Sequence, residues 1–361
     1  MPWNWELPKW PKFTYDPEPI AAQERRFLLK AGSASACLKT VENQDTNRFI
    51  VEILSLEGLG SSRIEGEILD RESLQSSIKK HFGFHAAAKP GAKKEAGMAQ
   101  LLCSVYESFD KPLTHEMLWQ WHSMLFSQMA DSGKYRSHEE PMQIVSNRYD
   151  SPKVFFEAPP SAQVQREMER FIEWFNSTND SGSILGRAAI AHVYFESIHP
   201  FEDGNGRIGR VLVEKILSQD IGRPVLIAIS KLLEKRKKEY YASLETCNHT
   251  LEVQQWVEFF AEVVNLAQEE SMNQLYFLIE KSKMLNALSG QINPRQEKVL
   301  LRMFAEGPGG FQGGLSAEKY IAITKTTRPT ASRDLIDLVR KGALVKTGKL
   351  RHTRYWLKLK K

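Results

Sequence analysis

Apolar residues recur every three or four positions along most of the chain, which is the period of helices with one buried face. This pattern predicts a mainly α protein. The predicted helices cover residues 20–41, 43–59, 96–109, 114–129, 161–177, 184–198, 205–219, 235–245 and 252–285. Thr114 is expected to cap the fourth of them, since a threonine hydroxyl can accept a hydrogen bond from a free N–H group of the first turn.

Two short β-prone runs interrupt the helical period, MQIVS at 142–146 and KVFFEAP at 153–159. The turn-forming residues between them, 147–152, predict a β-hairpin. An isolated hairpin is only marginally stable, so this one is expected to lean on the helical body. Residues 83–95 are small, basic and broken by proline and glycine, which predicts a solvated surface loop.

Gly290 and Pro294 mark a break after the last long helix, and the pattern beyond them predicts a separate C-terminal domain. Helices at 295–306, 316–323 and 328–341 are followed by two strands, an order that resembles a winged helix-turn-helix. Its basic residues of the kind that contacts DNA phosphates are Arg328, Arg333, Lys349, Arg351 and Arg354. Such modules also serve for protein contact, so DNA and protein both stay open as partners of this domain.

Composition excludes several classes of protein. The net charge of +5 is too mild to argue for nucleic acid on its own. The three cysteines are widely spaced without a CxxC pair, which favours reduced thiols over disulfides or a metal site. The sequence shows neither a signal-peptide pattern nor an apolar run of about 18 residues. We therefore expect a cytoplasmic protein with no membrane partner.

The stretch richest in chemistry is HPFEDGNGRIGR, residues 199–210. Pro200 disfavours helical geometry at His199, so one helix should end there and the next should begin at Gly204 or Asn205. Free backbone N–H groups would then lie at a helix N-terminus, where the helix dipole favours an anion.

Charged side chains surround this expected anion site. Arg207 and Arg210 are three residues apart, so they share one helix face and can bind neighbouring phosphates. Asp203 is a hard oxygen ligand suited to Mg²⁺. His199 can take a proton near neutral pH. These residue types together point to an enzyme that acts on a nucleotide polyphosphate.

The same stretch resembles the signature of the Fic family, HPFx[D/N]GNGRxxR, with every specified position filled. The usual activity of that family is AMPylation, the transfer of AMP from ATP to a protein hydroxyl group. The resemblance implies that His199 is the general base, that Phe201 anchors the loop and that Asp203 holds Mg²⁺. The nucleotide-binding residues it implies are Gly204, Asn205, Gly206, Arg207 and Arg210, the last on the γ-phosphate. Near the adenine it suggests Tyr240 and Tyr241, between which spacing does not choose, and after them Asn248.

The hairpin and the N-terminus extend the resemblance. In Fic proteins a flap at the hairpin's position pairs with the backbone of the target, which would involve Ile144, Val145, Val154 and Phe155. A hairpin that only covers the core is the alternative. The first 19 residues interleave tryptophan with proline, which predicts an extended segment over a globular surface. Their sequence is similar to the start of an N-terminal module found ahead of some Fic domains.

The segment Ser61–Gly66 resembles the Fic inhibitory motif [S/T]xxxE[G/N]. This similarity implies that Glu65 competes for Arg210 and so misplaces the γ-phosphate, with Ser61 opening the motif. An ordinary helix end with Gly66 near its cap is the alternative.

We therefore expect a helical Fic fold with a β-hairpin flap and a C-terminal winged helix-turn-helix. The expected division is an N-terminal helical module with the inhibitory helix at 1–90, a catalytic core at 91–285 and the winged domain at 286–361. The expected function is protein adenylyltransfer with ATP and Mg²⁺, restrained by Glu65. Alternatives are removal of AMP at the same site and a DNA-binding regulator with a Fic sensor core. A homodimer is left open.

Overall fold

A computed structural model describes residues 1–39, 43–84, 92–129, 132–145, 153–177, 182–308 and 310–359. Two compact units are present, one of Met1–Lys39 and Ile50–Ser271 and one of Thr40–Phe49 and Met272–Lys361. The boundary at residue 271 precedes the break that we predicted near 286, and the functional division of the chain stays a prediction. None of the described helices is long and apolar enough to cross a membrane.

The first unit is built almost entirely from helices, which confirms the predicted mainly α class. Their bounds are α1 Ala21–Lys39, α2 Asn43–Ile64, α3 Arg71–His81, α4 Lys93–Glu107, α5 His115–Leu125, α6 Ser161–Ser177, α7 Ile184–Ile198, α8 Asn205–Ile221, α9 Ile229–Lys235, α10 Lys237–Glu245 and α11 Gln254–Ala287. Helices α2 and α11 begin or end in the second unit. α7 and α8 are buried on nearly all sides and pack closely against each other at the centre of the core.

Local signals explain where α7 and α8 begin and end. Ser183 caps α7 by accepting a hydrogen bond from the Gly186 N–H at 3.0 Å. Glu24 of α1 accepts a further bond from the Ile184 N–H at 2.7 Å, which ties α1 to the start of α7. Gly222 ends α8 in the left-handed conformation, with φ of 74°.

The predicted end of α2 at residue 59 is wrong, because the helix continues to Ile64. Gly58 and Gly60 permit close packing and do not break the helix. A Cβ at Gly60 would lie 2.5 Å from the backbone nitrogen of Lys231 at the start of α9, and one at Gly58 would lie 2.9 Å from Leu102. The longer helix carries Ser61 towards the N-terminus of α8, where it meets Arg210.

Other helix boundaries also differ from the prediction, among them the start of α4 at Lys93, inside the loop predicted at 83–95. α5 ends at Leu125 and not at 129. The helix predicted at 235–245 is observed as α10 from Lys237, since Arg236 separates it from α9. Thr114 caps α5 as predicted, accepting a hydrogen bond from the Met117 N–H at 3.2 Å.

The predicted hairpin is present as β1, Gln143–Val145, and β2, Val154–Glu157, paired antiparallel. Its expected turn at 147–152 lies outside the described residues, as does most of the expected surface loop at 83–95. The N-terminal segment contacts the hairpin at β2. Trp5 Nε1 donates a hydrogen bond to the Glu157 carbonyl at 2.7 Å, and the Trp3 ring packs edge-on against Phe156 at 5.4 Å.

We call residues 1–19 the N-terminal strap. It contacts the ends of two core helices, since the buried Asn4 side chain donates to Ser197 Oγ in α7 at 2.8 Å and to the Cys247 carbonyl after α10 at 3.1 Å. Trp10 Nε1 donates to Glu167 of α6 at 2.8 Å. The strap therefore joins α6, α7, α10 and the hairpin, and it lies over a globular surface as predicted. It is not extended throughout, because Asn4–Glu6 forms a 3₁₀ helix and turns follow at 8–11.

The second unit contains α12 Pro294–Ala305, α13 Ala317–Thr324 and α14 Arg328–Arg340, then β3 Leu344–Thr347 and β4 Arg354–Leu357. This is the predicted order of elements, and β3 and β4 pair antiparallel. A polar network joins the helices, because Asp334 of α14 accepts hydrogen bonds from Tyr320 at 2.8 Å and from Arg295 at 3.0 Å. The winged-helix assignment and DNA binding stay predictions.

Of the basic residues predicted to contact DNA, Arg333, Lys349 and Arg351 are exposed. Arg328 is also exposed but lies 3.4 Å from Glu318, and Arg354 donates hydrogen bonds to nearby backbone carbonyls.

Candidate active site

His199 terminates α7 in the left-handed conformation, with φ of 50°. A non-glycine residue adopts this conformation only at a cost, so the surrounding structure must hold it. Arg136 does so. Its Nε donates to the His199 carbonyl at 2.8 Å, its Nη2 donates to the Ile198 carbonyl at 3.3 Å, and its backbone N–H donates to the Pro200 carbonyl at 2.9 Å.

The loop after His199 is closed by Asn205. The Asn205 amide donates to the Phe201 carbonyl at 2.8 Å and accepts from the Phe201 N–H at 2.9 Å. The Phe201 ring is fully buried and stacks on His122 at 4.3 Å. The Asn205 side chain is therefore used within the loop, and only its backbone is available for the predicted anion site.

α8 begins directly after Gly204, which has φ of 84°. A Cβ at Gly204 would also lie 2.6 Å from the Phe126 ring, so both conformation and space require glycine here. Asp203 is the exposed acid beside this helix start, with 66% of its side chain exposed. Its Oδ1 accepts a hydrogen bond from the Gly204 N–H at 2.5 Å, so in this arrangement the carboxylate occupies part of the predicted nest.

Arg210 is held by the end of α2. Its Nε donates to Ser61 Oγ at 3.0 Å, and its Nη2 donates to the Ser61 carbonyl at 3.0 Å and to Glu65 Oε1 at 2.7 Å. The Arg210 side chain is 3% exposed. Burial opposes ionisation of Glu65, but the charge and hydrogen bond of Arg210 outweigh it and lower the Glu65 pKa. The pair is therefore ionised at neutral pH.

Arg207 is engaged by a second carboxylate of the same segment. Its Nη1 donates to Glu67 Oε2 at 3.0 Å, and its Nη2 lies 3.5 Å from Asp203 Oδ1. The guanidinium also lies over the Phe126 ring at 4.8 Å, in cation–π geometry. Glu67 Oε1 lies 2.6 Å from Lys94 Nζ at the start of α4.

The last carbonyl of α2 is held from α10. Lys237 Nζ donates a hydrogen bond to the Ile64 carbonyl. Tyr241 lies at the same place, with its hydroxyl 3.5 Å from that carbonyl and 44% of the residue exposed. Gly66 follows with φ of 81°, so the backbone turns sharply after Glu65. Residues 61–67, which we call the 61–67 segment, thus contact α8, α10 and α4.

The three residues suggested for the adenine lie in different surroundings. Tyr240 is buried in the core, with its hydroxyl 2.7 Å from His192 Nε2. Asn248 donates to the Phe155 carbonyl of β2 at 2.8 Å, and its own carbonyl accepts from the Asn4 N–H at 2.7 Å. Of the three, Tyr241 is the most exposed residue. A contact with adenine stays a prediction for each.

The hairpin presents three exposed apolar side chains. Ile144, Val145 and Val154 are 41%, 47% and 38% exposed. Phe155 is half-buried, with the Lys153 amine 4.7 Å above its ring. These are the residues predicted for target docking, and that role stays a prediction.

The protonation of His199 is controlled mainly by burial. Burial, followed by the nearby Arg136 charge, lowers its pKa to about 4, so its ring is neutral at pH 7. Glu196 lies one helical turn earlier, with Oε2 3.8 Å from His199 Nδ1. Burial raises the pKa of this carboxyl to about 8. A neutral imidazole can accept a proton, which is what a general base at position 199 requires.

The fit of the site to Mg²⁺ depends on its donor set. Among the described residues no group of three or more His, Cys, Asp or Glu side chains could hold a metal ion. Asp203 is a single exposed carboxylate, with Arg207 Nη2 3.5 Å away. This suits Mg²⁺, which keeps several waters and binds through one or two carboxylates together with substrate phosphates.

Sequence reasoning missed four residues that the structure brings to this site, namely Arg136, Glu196, Glu67 and Lys237. Glu67 and Glu196 lie close in sequence to recognised motifs, so their charge was the available signal. Arg136 and Lys237 are far from the motif in sequence, and only the fold brings them in.

The sequence matches two protein families over separate parts of the chain. Residues 112–217 match the Fic/DOC family, and residues 3–84 match a domain of unknown function, DUF4172. The curated protein adenylyltransferase fic-1 of Caenorhabditis elegans is 28% identical over 151 residues, which are 41% of this chain and 28% of that protein. Protein adenylyltransferase Fic of Drosophila virilis is 26% identical over 185 residues, 49% of this chain and 37% of that protein. The chain thus spans well under half the length of these relatives.

Solved structures share the fold. A Fic family protein from Desulfovibrio desulfuricans superposes with a TM-score of 0.57 at 21% identity, covering 96% of this chain and 98% of that one. A Fic domain containing signaling protein from Bacteroides thetaiotaomicron superposes with a TM-score of 0.53 at 20% identity, covering 70% and 97%. With the complete HPFEDGNGRIGR stretch at the junction of α7 and α8, the chain therefore carries a Fic/DOC family domain.

Proposed function

We propose that this chain is a protein adenylyltransferase, which transfers AMP from ATP to a Tyr, Thr or Ser hydroxyl of a target protein or of itself, and that Glu65 restrains it. The observation that carries the proposal is the position of Arg210. This buried arginine lies one turn from Arg207 at the N-terminus of α8, and Ser61 and Glu65 hold it. The names of the curated relatives support AMP transfer as the chemistry.

In the proposed reaction the target hydroxyl oxygen attacks the α-phosphorus of ATP. The new P–O bond forms as the bond to pyrophosphate breaks, and His199 takes the hydroxyl proton. His199 suits this role because its ring is neutral at pH 7 and Arg136 fixes its backbone. Asp203 would hold Mg²⁺, which would neutralise part of the phosphate charge.

Arg207 and Arg210 would bind the phosphates, so their partners determine whether ATP is placed productively. In the present arrangement Glu65 is paired with Arg210, and Glu67 is paired with Arg207. ATP that bound without Arg210 would lack the contact that orients its γ-phosphate. Misplacement of the reacting atoms by about 1 Å can cost on the order of a hundredfold in rate. Restraint therefore follows from competition between two carboxylates and the phosphates for the same arginines.

The test is transfer of label from α-³²P-ATP to protein. Glu65→Gly should raise self-labelling and target labelling by at least about tenfold, equivalent to roughly 1.4 kcal/mol of barrier. Adding His199→Ala to that variant should abolish the labelling. Labelling that survives the loss of His199 would reject the adenylyltransferase assignment. If Glu65→Gly is no more active than the parent but His199 is required, only the restraint by Glu65 is rejected.

The reverse direction, removal of AMP from a modified protein, uses the same residues and is measured in the same variants. Incubating the unmodified chain and Glu65→Gly with a ³²P-AMP-labelled protein separates the two directions. If the unmodified chain releases the label faster than Glu65→Gly does, removal of AMP is favoured over transfer.

A further inference from the structure

Glu196 is placed beside His199 by the geometry of a helix end. It lies three residues before His199, on the last turn of α7. The backbone of His199 has the left-handed conformation, and its ring lies against this last turn. Its Nδ1 is 3.8 Å from Glu196 Oε2. Only 16% of each of the two side chains is exposed. The ring nitrogen nearer to Glu196 is Nδ1, so Nε2 is the nitrogen left for substrate.

The polar atoms around this pair lack partners. His199 Nδ1 and Glu196 Oε1 are buried, and neither has a side-chain hydrogen-bond partner within the described part of the chain. The backbone carbonyl of Glu196 also lies close enough to the His199 ring to oppose the lowering of its pKa. His192 Nδ1, one turn further back on α7, is in the same situation. A buried carboxyl oxygen without a hydrogen-bond partner is costly, and such atoms in native proteins usually serve a function.

Gly209 of α8 makes the space that the Glu196 carboxyl occupies. A Cβ at Gly209 would lie 2.7 Å from Glu196 Oε1 and 3.1 Å from the His192 ring. Gly209 has ordinary helical geometry, where alanine would be the better helix former. The absence of a side chain at Gly209, between Arg207 and Arg210, therefore leaves room for the Glu196 carboxyl beside His199.

We propose that Glu196 is a positioning residue for His199, whose carboxyl group orients the ring through Nδ1 and stabilises the imidazolium that forms when Nε2 takes the proton of the target hydroxyl. The role rests on the proposed adenylyltransferase function. The proton moves from the hydroxyl oxygen to Nε2 while Nδ1–H faces the Glu196 carboxyl, so no further reactant is needed. Glu196 itself does not contact the substrate.

The protonation state of Glu196 predicts how the rate depends on pH. Burial first, and then the Glu65 charge, raise its pKa to about 8, while Arg210 opposes them. At pH values above this pKa, the ionised Glu196 carboxylate stabilises the protonated ring of His199. AMP transfer should therefore accelerate as the pH rises. Replacing Glu65 removes one cause of the raised pKa, and the midpoint should then lie lower. The charged and titratable groups that act on the pair are Arg210, Glu65, Arg136, Asp203, Tyr240 and Tyr241. His192 lies beside the Glu196 carboxyl at Gly209.

The first experiment compares Glu65→Gly with Glu65→Gly/Glu196→Gln. We expect kcat at pH 8 to fall at least tenfold, KM for ATP to stay within twofold and the rise of the rate between pH 6 and 9 to disappear. Equal kcat and an unchanged pH profile would overturn the proposal. Gly209→Ala in the same background tests it independently, because it displaces the carboxyl without removing it. Its loss of kcat should not add to that of Glu196→Gln.

A second readout does not depend on turnover. With ring-labelled histidine, the NMR signals of His199 in the unmodified chain should shift with a midpoint near pH 8, and Glu196→Gln should abolish this shift. No shift in the unmodified chain would overturn the proposal. A shift accompanied by no AMP transfer would retain the pairing and reject the proposed function alone.

Thermal unfolding distinguishes this role from a structural one. The folded chain keeps the Glu196 proton at pH values where the unfolded chain has released it, from the ordinary value of 4.5 up to about 8. Stability from this group therefore falls as pH rises through that window. Glu196→Gln should melt at or above the parent temperature at pH 8 although it is less active. A lower melting temperature at pH 8 would identify Glu196 as structural.

Discussion

Glu67 Oε2 lies 3.0 Å from Arg207 Nη1, two residues after the carboxylate that contacts Arg210 at 2.7 Å. Two arginines three residues apart on α8 thus face two carboxylates two residues apart on the 61–67 segment. The spacing is possible because the helix ends at Ile64, and Gly66, with φ of 81°, turns the backbone between the two acids. Both arginines expected to bind phosphates are consequently paired.

Glu67→Gln should therefore relieve part of the restraint. The Glu67 side chain is 21% exposed and shares its charge with Lys94, so its pair with Arg207 should be weaker than the pair at Arg210. We expect AMP transfer to rise roughly two- to fivefold, as for an ion pair of about 0.5–1 kcal/mol. Combined with Glu65→Gly, the increase should be greater than for either change alone.

Label transfer from α-³²P-ATP measures this effect, and Glu173→Gln is its control. Glu173 is an exposed carboxylate on α6, so its loss changes net charge equally and should leave the rate unchanged. Glu67→Gln that behaves like Glu173→Gln would show that Arg207 is free to bind phosphate despite its pair.

Glu65→Gln should destabilise the chain in a pH-dependent way. The pKa of Glu65 is lowered in the folded chain, so its contribution to stability is present above the ordinary value of 4.5 and is lost as pH falls through the folded value. A hydrogen bond between charged groups contributes about 1.5–3 kcal/mol. Melting curves should show a lower temperature for Glu65→Gln at pH 7, with the difference shrinking towards pH 3. A difference that is equal at pH 7 and pH 3 would contradict the ionised pair.

Helices with clear local signals could be predicted closely from the sequence. α6 has a strong apolar period between Ser161 and Ser177, and its bounds agree with the prediction. α7 is likewise bounded by Ser183 and the His199–Pro200 step. α2 could not be predicted in full, because Gly58 and Gly60 are read locally as helix breakers. The neighbours that explain them, Leu102 and Lys231, are distant in sequence.

The candidate site divides in the same way. Asp203, Arg207 and Arg210 belong to one short stretch whose order fixes their relative positions on α8. The partners from outside that stretch depend on how helices pack, and spacing carries no information about them. Arg136 reaches the His199 carbonyl across 63 positions, and Lys237 reaches the Ile64 carbonyl across 173. Residue type alone could not distinguish them from the other arginines and lysines of the chain.

Val145→Lys should impair modification of a target protein while sparing self-labelling. Val145 lies on β1 and is 47% exposed, where an added charge does not disturb the core. If the hairpin pairs with the target backbone, lysine at this position should weaken docking and lower target labelling at least about fivefold, near 1 kcal/mol.

Val345→Lys is the matched control for that change, because Val345 lies on the other hairpin, on β3, and is 41% exposed. Both variants are compared in the Glu65→Gly background with a labelled target and with self-labelling. Equal target labelling by the two variants would indicate that the first hairpin only covers the core.

Asn4→Ala should destabilise the first unit. The buried Asn4 amide donates to Ser197 Oγ and to the Cys247 carbonyl. Two such bonds at about 1 kcal/mol each predict a loss of roughly 2 kcal/mol, or about 4–8 °C in melting temperature for a domain of this size. Lys12→Ala, at an exposed position of the N-terminal strap, should melt with the parent. Similar melting of both variants would show that the strap adds little stability.

Arg136→Lys should lower the rate without changing the affinity for ATP. The planar guanidinium donates at once to the His199 carbonyl, to Ser161 Oγ at 2.9 Å and to the Pro159 carbonyl at 2.5 Å, and it is 4% exposed. A lysine amine is a point charge on a flexible chain and cannot reproduce this fork. The left-handed backbone of His199 would then lose its main support, and the imidazole would sample other positions. We expect kcat to fall at least about tenfold, with KM for ATP within twofold.

Arg166→Lys, on the exposed side of α6, is the control and should leave both constants unchanged. A rise in KM for ATP at constant kcat would instead place Arg136 in nucleotide binding and would contradict its role as the support of His199.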